Sequence, residues 1–125
     1  MTAGLFPGVE PGLRGECRVV VTAAMATTHA GGAGFLRAAD MLPAMELAAQ
    51  DATQPYLPDD HTTVGYEIAI RHRRPTPVGA MFTATAELLE VDGRKLLFRV
   101  EARNACELIG EGTIRRTIVR KGALG

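Results

Sequence analysis

Four consecutive stretches in the second half of this chain have the pattern of β-strands, and this run constrains the fold more than any other feature of the sequence. In the second and third stretches apolar and polar side chains alternate, so one face of each strand is expected to be buried. Asp92-Gly93 separates these two stretches and favours a tight hairpin turn, and consecutive hairpins pair antiparallel. The predicted strands are residues 62–73, 80–90, 95–103 and 108–120.

A helix precedes these strands. Residues 35–53 are rich in Ala, Leu and Met, and apolar residues recur there at spacings of three and four. We predict that Asp40 is the N-cap, that Pro43 lies in the first turn, where proline is tolerated, and that Glu46 lies in the second turn. The alternative is a longer helix that is kinked at Pro43.

The start of the chain holds several prolines and glycines, and we expect residues 1–15 to form a flexible N-terminal arm. The β-branched residues within residues 16–28 predict one further strand. One helix against one face of a long curved antiparallel sheet is an α+β arrangement. We therefore predict an α+β protein with a single domain at residues 16–125.

Composition and charge exclude several classes of protein. The chain has 125 residues, of which 46% are hydrophobic and 22% charged, as in an ordinary globular domain. Its 14 basic and 14 acidic side chains balance, which argues against a nucleic-acid-binding protein. The two cysteines lie far apart and the three histidines are scattered, so no metal site is expected. Without a signal-peptide pattern or a long apolar run, we expect a cytoplasmic protein with no membrane partner.

The first of the four strands ends in a histidine. Alternate side chains of a strand share a face, and every other member of the stripe that ends at His72 is apolar. We predict that this stripe is buried. Burial and a nearby carboxylate can tune the imidazole into a base near neutral pH, and Glu46 can supply the carboxylate. The alternatives are a strand-end histidine that bonds to a neighbouring carbonyl and a solvated helix residue at Glu46. The stripe consists of Val64, Tyr66, Ile68, Ile70 and His72.

Basic side chains cluster in two places although the net charge is zero. Arg71, Arg73 and Arg74 stand at the end of the first of these strands, and a second group closes the last strand at residues 115–121. Local positive charge of this kind fits a small phosphate-bearing ligand, because guanidinium groups bind phosphate bidentately. The alternative is that both groups are solvated strand faces.

Three groups of motifs follow one another along residues 16–120. In this order the chain resembles the hotdog-fold acyl-CoA thioesterases, in particular the branch that contains fluoroacetyl-CoA thioesterase. The motifs are Met45-Glu46 followed by Ala48-Ala49; Thr63-Val64-Gly65 leading to His72 and Pro75-Thr76-Pro77-Val78-Gly79; and Val91-Asp92-Gly93-Arg94 followed by Ile109-Gly110-Glu111-Gly112-Thr113.

The resemblance implies a hotdog fold, in which one long helix packs on a curved antiparallel sheet. It also implies that Glu46 and His72 are catalytic, that Gly65 lies near the thioester carbonyl, and that Arg116 lies near the active site. Hotdog relatives place their sites between subunits, so a homodimer or a dimer of dimers is expected. The implied partner is an acyl-CoA or acyl-carrier thioester, and no cofactor is implied besides coenzyme A as part of the substrate.

The chain departs from that branch at the residue before the helix, where a threonine or serine is usual and this sequence has Ala38. Ile114 stands where many members have histidine, and the lid insertion has no counterpart between Thr28 and Phe35. Without the hydroxyl, we expect Glu46 or His72 to activate water directly.

In this reading a backbone N–H at Gly65 stabilises the oxyanion. The alternative is that Gly65 is a β-bulge or strand-entry glycine. Asp40 can substitute for the missing hydroxyl, and Arg71, Arg73 and Arg74 can contact the phosphates of coenzyme A.

Three functions are therefore weighed. The first is an acyl-CoA thioesterase for a small or medium acyl group, which the pair Glu46 and His72 favours. The second is a non-catalytic acyl-CoA or acyl-carrier binding protein, which Ala38 favours. The third is a hotdog hydratase or dehydratase, a chemistry that usually pairs aspartate with histidine and for which Asp40 is the candidate.

Overall fold

Strands dominate the chain, which a computed structural model describes over residues 5–124. The first half contains β1 (Arg14–Val20), the short strands β2 (Ala26–Thr27) and β3 (Phe35–Leu36), and the helix α1 (Ala38–Thr53). The second half contains β4 (His61–His72), β5 (Met81–Asp92), β6 (Lys95–Arg103) and β7 (Leu108–Arg120). Short 3-10 turns occur at Ala23–Met25 and Gln54–Tyr56.

The long strands form one five-stranded antiparallel sheet in the order β1-β5-β6-β7-β4, and α1 packs on one face of it. The hairpin between β5 and β6 turns at Gly93, whose φ of 61° suits a glycine. The predicted α+β arrangement is confirmed, and each of the four predicted strands ends within two residues of its observed bounds. Because β4 is the last strand in the order, one of its edges is unpaired in this chain.

The core lies between α1 and the sheet. Met41 of α1 and Phe82 and Phe98 of the sheet are among its largest fully buried side chains. Farther along the helix, α1 lies in backbone contact with β1, since a Cβ atom at Gly15 would stand 2.2 Å from the Ala48 carbonyl oxygen. Glycine is required at this position because any side chain there would separate the helix from the sheet.

The helix begins earlier than predicted. Arg37 is the N-cap residue, with an extended backbone, and its carbonyl accepts the N–H groups of Asp40 and Met41. The prediction that Asp40 is the N-cap is therefore wrong. Asp40 lies inside the first turn, where the helix dipole favours an acid, and its Oδ2 is 2.7 Å from Arg37 Nε. Pro43 lies in the helix interior instead of the first turn.

The segment before the sheet is packed where the structure describes it. Val9 is buried, the Gly12 N–H donates to the Leu88 carbonyl, and β1 already begins at Arg14. Residues 9–15 thus lie against the sheet and do not form the loose arm expected of residues 1–15, whose first four lie outside the described residues. The strand predicted within residues 16–28 ends at Val20.

A β-bulge in β4 corrects the prediction of one buried stripe. The pairing with β7 shifts between Gly65 and Glu67, so Tyr66 is an extra residue. Gly65 pairs with the buried Arg116 before the bulge, and Ile68 pairs with the buried Ile114 after it, so the inward-facing set changes from odd to even numbers. Tyr66 therefore faces away from α1 and is 47% exposed, and Ile68, which faces inward at the sheet edge, is 43% exposed.

Candidate active site

A carboxylate and a buried guanidinium meet between α1 and the sheet. Arg116 on β7 is 2% exposed, and its Nη1 lies 3.3 Å from Glu46 Oε2, whose side chain is 32% exposed. Arg116 also donates from Nε to Thr63 Oγ1 (2.8 Å) and from Nη2 to the Thr63 carbonyl (2.7 Å). Burial lowers the pKa of Arg116 and Glu46 raises it, but an arginine stays charged in proteins. The guanidinium is thus fixed on two sides and holds the Glu46 carboxylate on its third.

Gly65 completes this cluster. A Cβ atom there would lie 3.2 Å from Glu46 Oε2 and 3.4 Å from Arg116 Nη1, so the carboxylate lies almost directly over the backbone of β4. The bulge begins at the next residue, and a bulged residue is left out of the ladder of backbone hydrogen bonds. Three of the predicted site residues, Glu46, Gly65 and Arg116, therefore lie together, with backbone polar groups of β4 beside them.

His72 lies apart from this cluster within one chain. It stands seven positions beyond Gly65 on the same strand, which is about 20 Å of extended chain. Its side chain is half-buried, and its Nε2 atom has no hydrogen-bond partner among the described residues. Burial lowers the pKa of His72, and a hydrogen bond with the Arg74 backbone offsets part of this effect. The imidazole is therefore neutral near pH 7 and has a free nitrogen.

The three arginines at the end of β4 line an open groove of about 800 Å³ together with His72, Glu107 and Leu108. Two of them have acidic partners. Arg73 is hydrogen-bonded to Glu111, and Arg74 Nε lies 3.6 Å from Glu107 Oε2. Arg71 makes no ion pair within residues 5–124. The predicted basic cluster exists, but two neighbouring carboxylates neutralise much of its charge.

Asp40, the remaining predicted ligand contact, is joined to Arg37 and not to the Glu46 cluster. Ala38 stands where the thioesterase branch usually has a threonine or serine. It is the first residue of α1 and is exposed. Ile114 is fully buried in the core. None of these three positions contributes a group to the carboxylate–guanidinium contact.

The sequence reasoning missed Thr63, which fixes Arg116, and the acids Glu107 and Glu111. Thr63 lies two residues before Gly65 on the same face, but a threonine on a strand is ordinary, so no signal in the sequence indicates its role. Glu111 is placed by strand pairing, because it pairs across the sheet with Arg71, and Glu107 lies in the turn just before β7. No local pattern in the sequence indicates that pairing.

Within the described residues, no helix is both long and apolar enough to cross a membrane. The same part of the chain contains no group of three or more His, Cys, Asp or Glu side chains that could hold a metal ion.

A single helix packed on a curled antiparallel sheet, with an acid on the helix facing the sheet, defines a hotdog-fold protein. The structure superposes on a hot-dog-like protein from Thermanaerovibrio acidaminovorans with a TM-score of 0.81, at 21% identity, over 96% of this chain and 88% of that chain. The predicted hotdog fold is therefore confirmed.

The chain belongs to the family described as fluoroacetyl-CoA-specific thioesterase, whose sequence profile matches residues 19–122. A fluoroacetyl-CoA thioesterase of Streptantibioticus cattleyicolor is 39% identical over 79 residues, which are 63% of this chain and 57% of the relative. The match thus spans less than two thirds of that relative's length. The solved complex of a fluoroacetyl-CoA-specific thioesterase mutant with fluoroacetate and CoA has a TM-score of 0.84 at 30% identity, over 94% of this chain and 100% of that chain. The resemblance inferred from the motifs is confirmed.

Proposed function

We propose that this chain is an acyl-CoA thioesterase that hydrolyses a small or medium acyl thioester. The observation that carries the proposal is the Glu46 carboxylate, which Arg116 holds over the backbone of Gly65 and which is still open to solvent. The family supports a CoA thioester as the substrate, because a solved relative holds fluoroacetate and CoA. Coenzyme A enters as part of the substrate, and the reaction uses no other cofactor.

The proposed step is direct attack of water on the thioester carbonyl. Glu46 accepts one proton as the water oxygen attacks, and such general-base catalysis contributes about 100- to 10,000-fold. A backbone N–H near Gly65 donates to the developing oxyanion, since the bulge frees polar groups there. The C–S bond then breaks, and the leaving thiolate takes up the proton. His72 orients the water or the thioester through its free nitrogen.

Because Glu46 and His72 are far apart in one chain, we propose that a second copy completes the site. The unpaired edge of β4 allows antiparallel pairing with the same strand of another copy. In the proposed register a twofold axis passes at Ala69, and the bulge adds one residue to β4 between Ala69 and Gly65. Gly65 then lies opposite His72 of the second copy, and both residues face inward. The same register places Glu67 opposite Arg71, which are of opposite charge.

The groove beside His72 is proposed to receive the charged end of the substrate. Arg73 and Arg74 follow His72 directly along the chain. In the proposed dimer His72 of one copy lies opposite Gly65 of the other, so one substrate molecule can place its phosphate at these arginines and its thioester at the Glu46 cluster. In the proposed dimer Arg71 faces Glu67 of the second copy, which leaves Arg73 and Arg74 for the ligand.

Ala38 favours a second candidate function, that of a non-catalytic acyl-CoA binding protein. The first residue of α1 carries only a methyl group, so no hydroxyl from this position can reach a substrate carbonyl. Such a protein keeps the pocket and binds thioesters without turnover.

Release of free thiol from short, medium and aromatic acyl-CoAs tests the proposal. Glu46→Gln keeps a hydrogen-bond acceptor for Arg116 but removes the base, and we expect turnover to fall about 100-fold or more. His72→Ala is expected to lose activity as well. Glu16→Gln, an exposed carboxylate on β1 paired with Arg18, is the matched control and is expected to keep full activity. Binding of acyl-CoAs without any turnover by the wild type would reject the enzyme and support the second candidate.

A further inference from the structure

We infer that Arg74 is the phosphate contact of the substrate groove and that Glu107 is the carboxylate that a bound phosphate displaces. Glu107 then sets how strongly the protein discriminates phosphate-bearing thioesters from those without phosphate. The inference rests on the proposed function and specifies how the charged end of the substrate is recognised.

The Arg74–Glu107 pair is the more weakly held of the two pairs in the groove. Its Nε–Oε2 separation of 3.6 Å is longer than a hydrogen bond, and the two side chains are 63% and 47% exposed. Arg73, by contrast, is hydrogen-bonded to Glu111 on the facing strand β7. A guanidinium carries five N–H donors, and Arg74 lines the groove with an exposed side chain, so it has donors left for a ligand.

The backbones around this pair are fixed, so an exchange of partners needs only side-chain rotation. The N–H groups of Arg73 and Arg74 both donate to the Ile109 carbonyl, at 2.7 and 3.2 Å. On the other side, Asn104 Oδ1 accepts the N–H groups of Cys106 and Glu107, each at 2.9 Å. This side-chain bond is typical of a tight turn and holds Glu107 at the rim of the groove.

The charge of the incoming group favours the exchange. In the proposed dimer Glu67 of the second copy faces Arg71, so Arg73 and Arg74 stand against Glu111 and Glu107, and the half-buried imidazole of His72 adds no charge near pH 7. A phosphate brings more negative charge than a carboxylate and matches the guanidinium fork with two parallel hydrogen bonds. Exposed ion pairs such as Arg74–Glu107 are weak, so a phosphate can replace the carboxylate. The 3′-phosphate and diphosphate of coenzyme A and the phosphodiester of carrier-bound phosphopantetheine share this chemistry.

Calorimetric titration with coenzyme A, 4′-phosphopantetheine and pantetheine tests the inference without any need for turnover. Glu107→Gln removes the competing charge, and we expect it to tighten coenzyme A binding about two- to fivefold. Arg74→Gln is expected to weaken that binding about tenfold, because it removes a charge-assisted bidentate contact. Neither change should alter the binding of pantetheine, which has no phosphate. Glu16→Gln is the matched control, since its pair with Arg18 has a similar separation of 3.7 Å at the opposite edge of the sheet.

The inference is overturned if Glu107→Gln behaves like the Glu16→Gln control, or if pantetheine responds as strongly as coenzyme A. If Glu107→Gln tightens the binding of 4′-phosphopantetheine as much as that of coenzyme A, Arg74 contacts the phosphate linked to pantetheine. If it tightens the binding of coenzyme A alone, Arg74 contacts one of the other phosphates of coenzyme A. Phosphate-dependent binding without hydrolysis of any thioester rejects the proposed function but keeps the inference. If acyl-CoA and acyl-pantetheine are both hydrolysed, and KM is the same in the wild type and in Arg74→Gln, the proposed function is kept and the inference is rejected.

Discussion

Arg116 uses each side of its guanidinium for a different partner. Nε and Nη2 donate to the side chain and the backbone of Thr63, and Nη1 donates to Glu46. A lysine cannot reproduce this planar arrangement because its ammonium is a point charge without a fork. The orientation of the Glu46 carboxylate therefore depends on a residue of β4 that the substrate need not touch.

His72 leads to a prediction about pH. Burial disfavours the charged imidazole, so the pKa of His72 in the folded protein lies below its ordinary value of 6.5. Below pH 6.5 the unfolded chain therefore binds more protons than the folded protein does. The contribution of His72 to stability is fully present above that pH and is lost as the pH falls through the lower pKa of the folded state.

Urea unfolding of the wild type and of His72→Gln between pH 7.5 and 5 measures this contribution. The variant is expected to lose less stability on acidification, because it has no imidazole to protonate. His29→Gln, which changes an exposed histidine, is the control and should follow the wild type. Parallel curves for the wild type and His72→Gln would contradict the prediction.

Glu46, Gly65 and Arg116 were predictable as a set only through the resemblance of the motifs. Their meeting in space depends on the register of β4 against β7 and on the helix that carries Glu46. Thr63 gave no such signal, because threonine on a strand is ordinary and its role appears only when the buried donors of Arg116 are accounted for.

Among the elements, α1 carries an unfavourable residue. Pro43 has no N–H for the Ala39 carbonyl, and proline costs about 3 kcal/mol more than alanine in a helix interior. Restriction of the unfolded chain by proline offsets up to about 1 kcal/mol of this cost. We expect Pro43→Ala to raise the free energy of unfolding by about 2–3 kcal/mol.

Equilibrium urea unfolding checks this prediction, with Pro55→Ala as the control. Pro55 lies at the start of a 3-10 turn, where proline fits, so its replacement should give no gain in stability. If Pro43→Ala were no more stable than the wild type, the helix would have to accommodate the proline without cost.

Gly65 on β4 and Gly112 on β7 lie on paired strands, and their replacement by alanine is expected to have different effects. At Gly65 the added Cβ meets the flexible end of Glu46, so the free energy of unfolding should change little, while displacement of the carboxylate lowers kcat/KM about tenfold or more. At Gly112 it would lie 2.1 Å from the backbone oxygen of Ala69, so we expect a loss of about 1–3 kcal/mol or more.

Thermal unfolding and thiol release on both variants separate these effects. Equal destabilisation by Gly65→Ala and Gly112→Ala would mean that Gly65 is needed for packing and not for access to Glu46.

The limits of β4–β7 and the hairpin between β5 and β6 were predictable because strand periodicity and the Asp92-Gly93 turn are local signals. A bulge at Gly65 was one of the open alternatives, but the extra residue at Tyr66 was not predictable, since it shows only against the partner strand. This one residue explains why Tyr66 is exposed on the outer face while His72 faces inward. The helix start was missed for a related reason: the Arg37 backbone, without a capping side chain, begins the helix.

At the scale of the whole molecule, the proposed pairing of β4 between two copies can be tested by exchanging the charges of Glu67 and Arg71. In the register with Ala69 on the twofold axis, Glu67 of each copy faces Arg71 of the other, so the contact occurs twice. Glu67→Arg or Arg71→Glu alone places like charges opposite each other and is expected to weaken the dimer about tenfold. The double variant should restore the affinity.

Sedimentation equilibrium gives the dissociation constants, and Glu101→Arg, on the central strand β6, is the control. A dimer that is unaffected by the single changes, or a double variant no tighter than the single variants, would reject this register. Activity should follow the dimer, since His72 of the second copy is proposed to complete the site.

The contact between Gly15 and α1 also bears on how the space beneath the helix can change in evolution or by engineering. The second half of the helix touches β1 backbone to backbone, whereas the first half rests on Met41, whose flexible sulfur end would be 2.5 Å from a Cβ at Gly110. Methionine adapts its shape, so substitutions at Met41 can enlarge or reduce the space between the first half of the helix and β7 while Gly15 holds the second half in place. A position whose side-chain volume can change is in this way separated from the position that fixes the distance between the helix and the sheet.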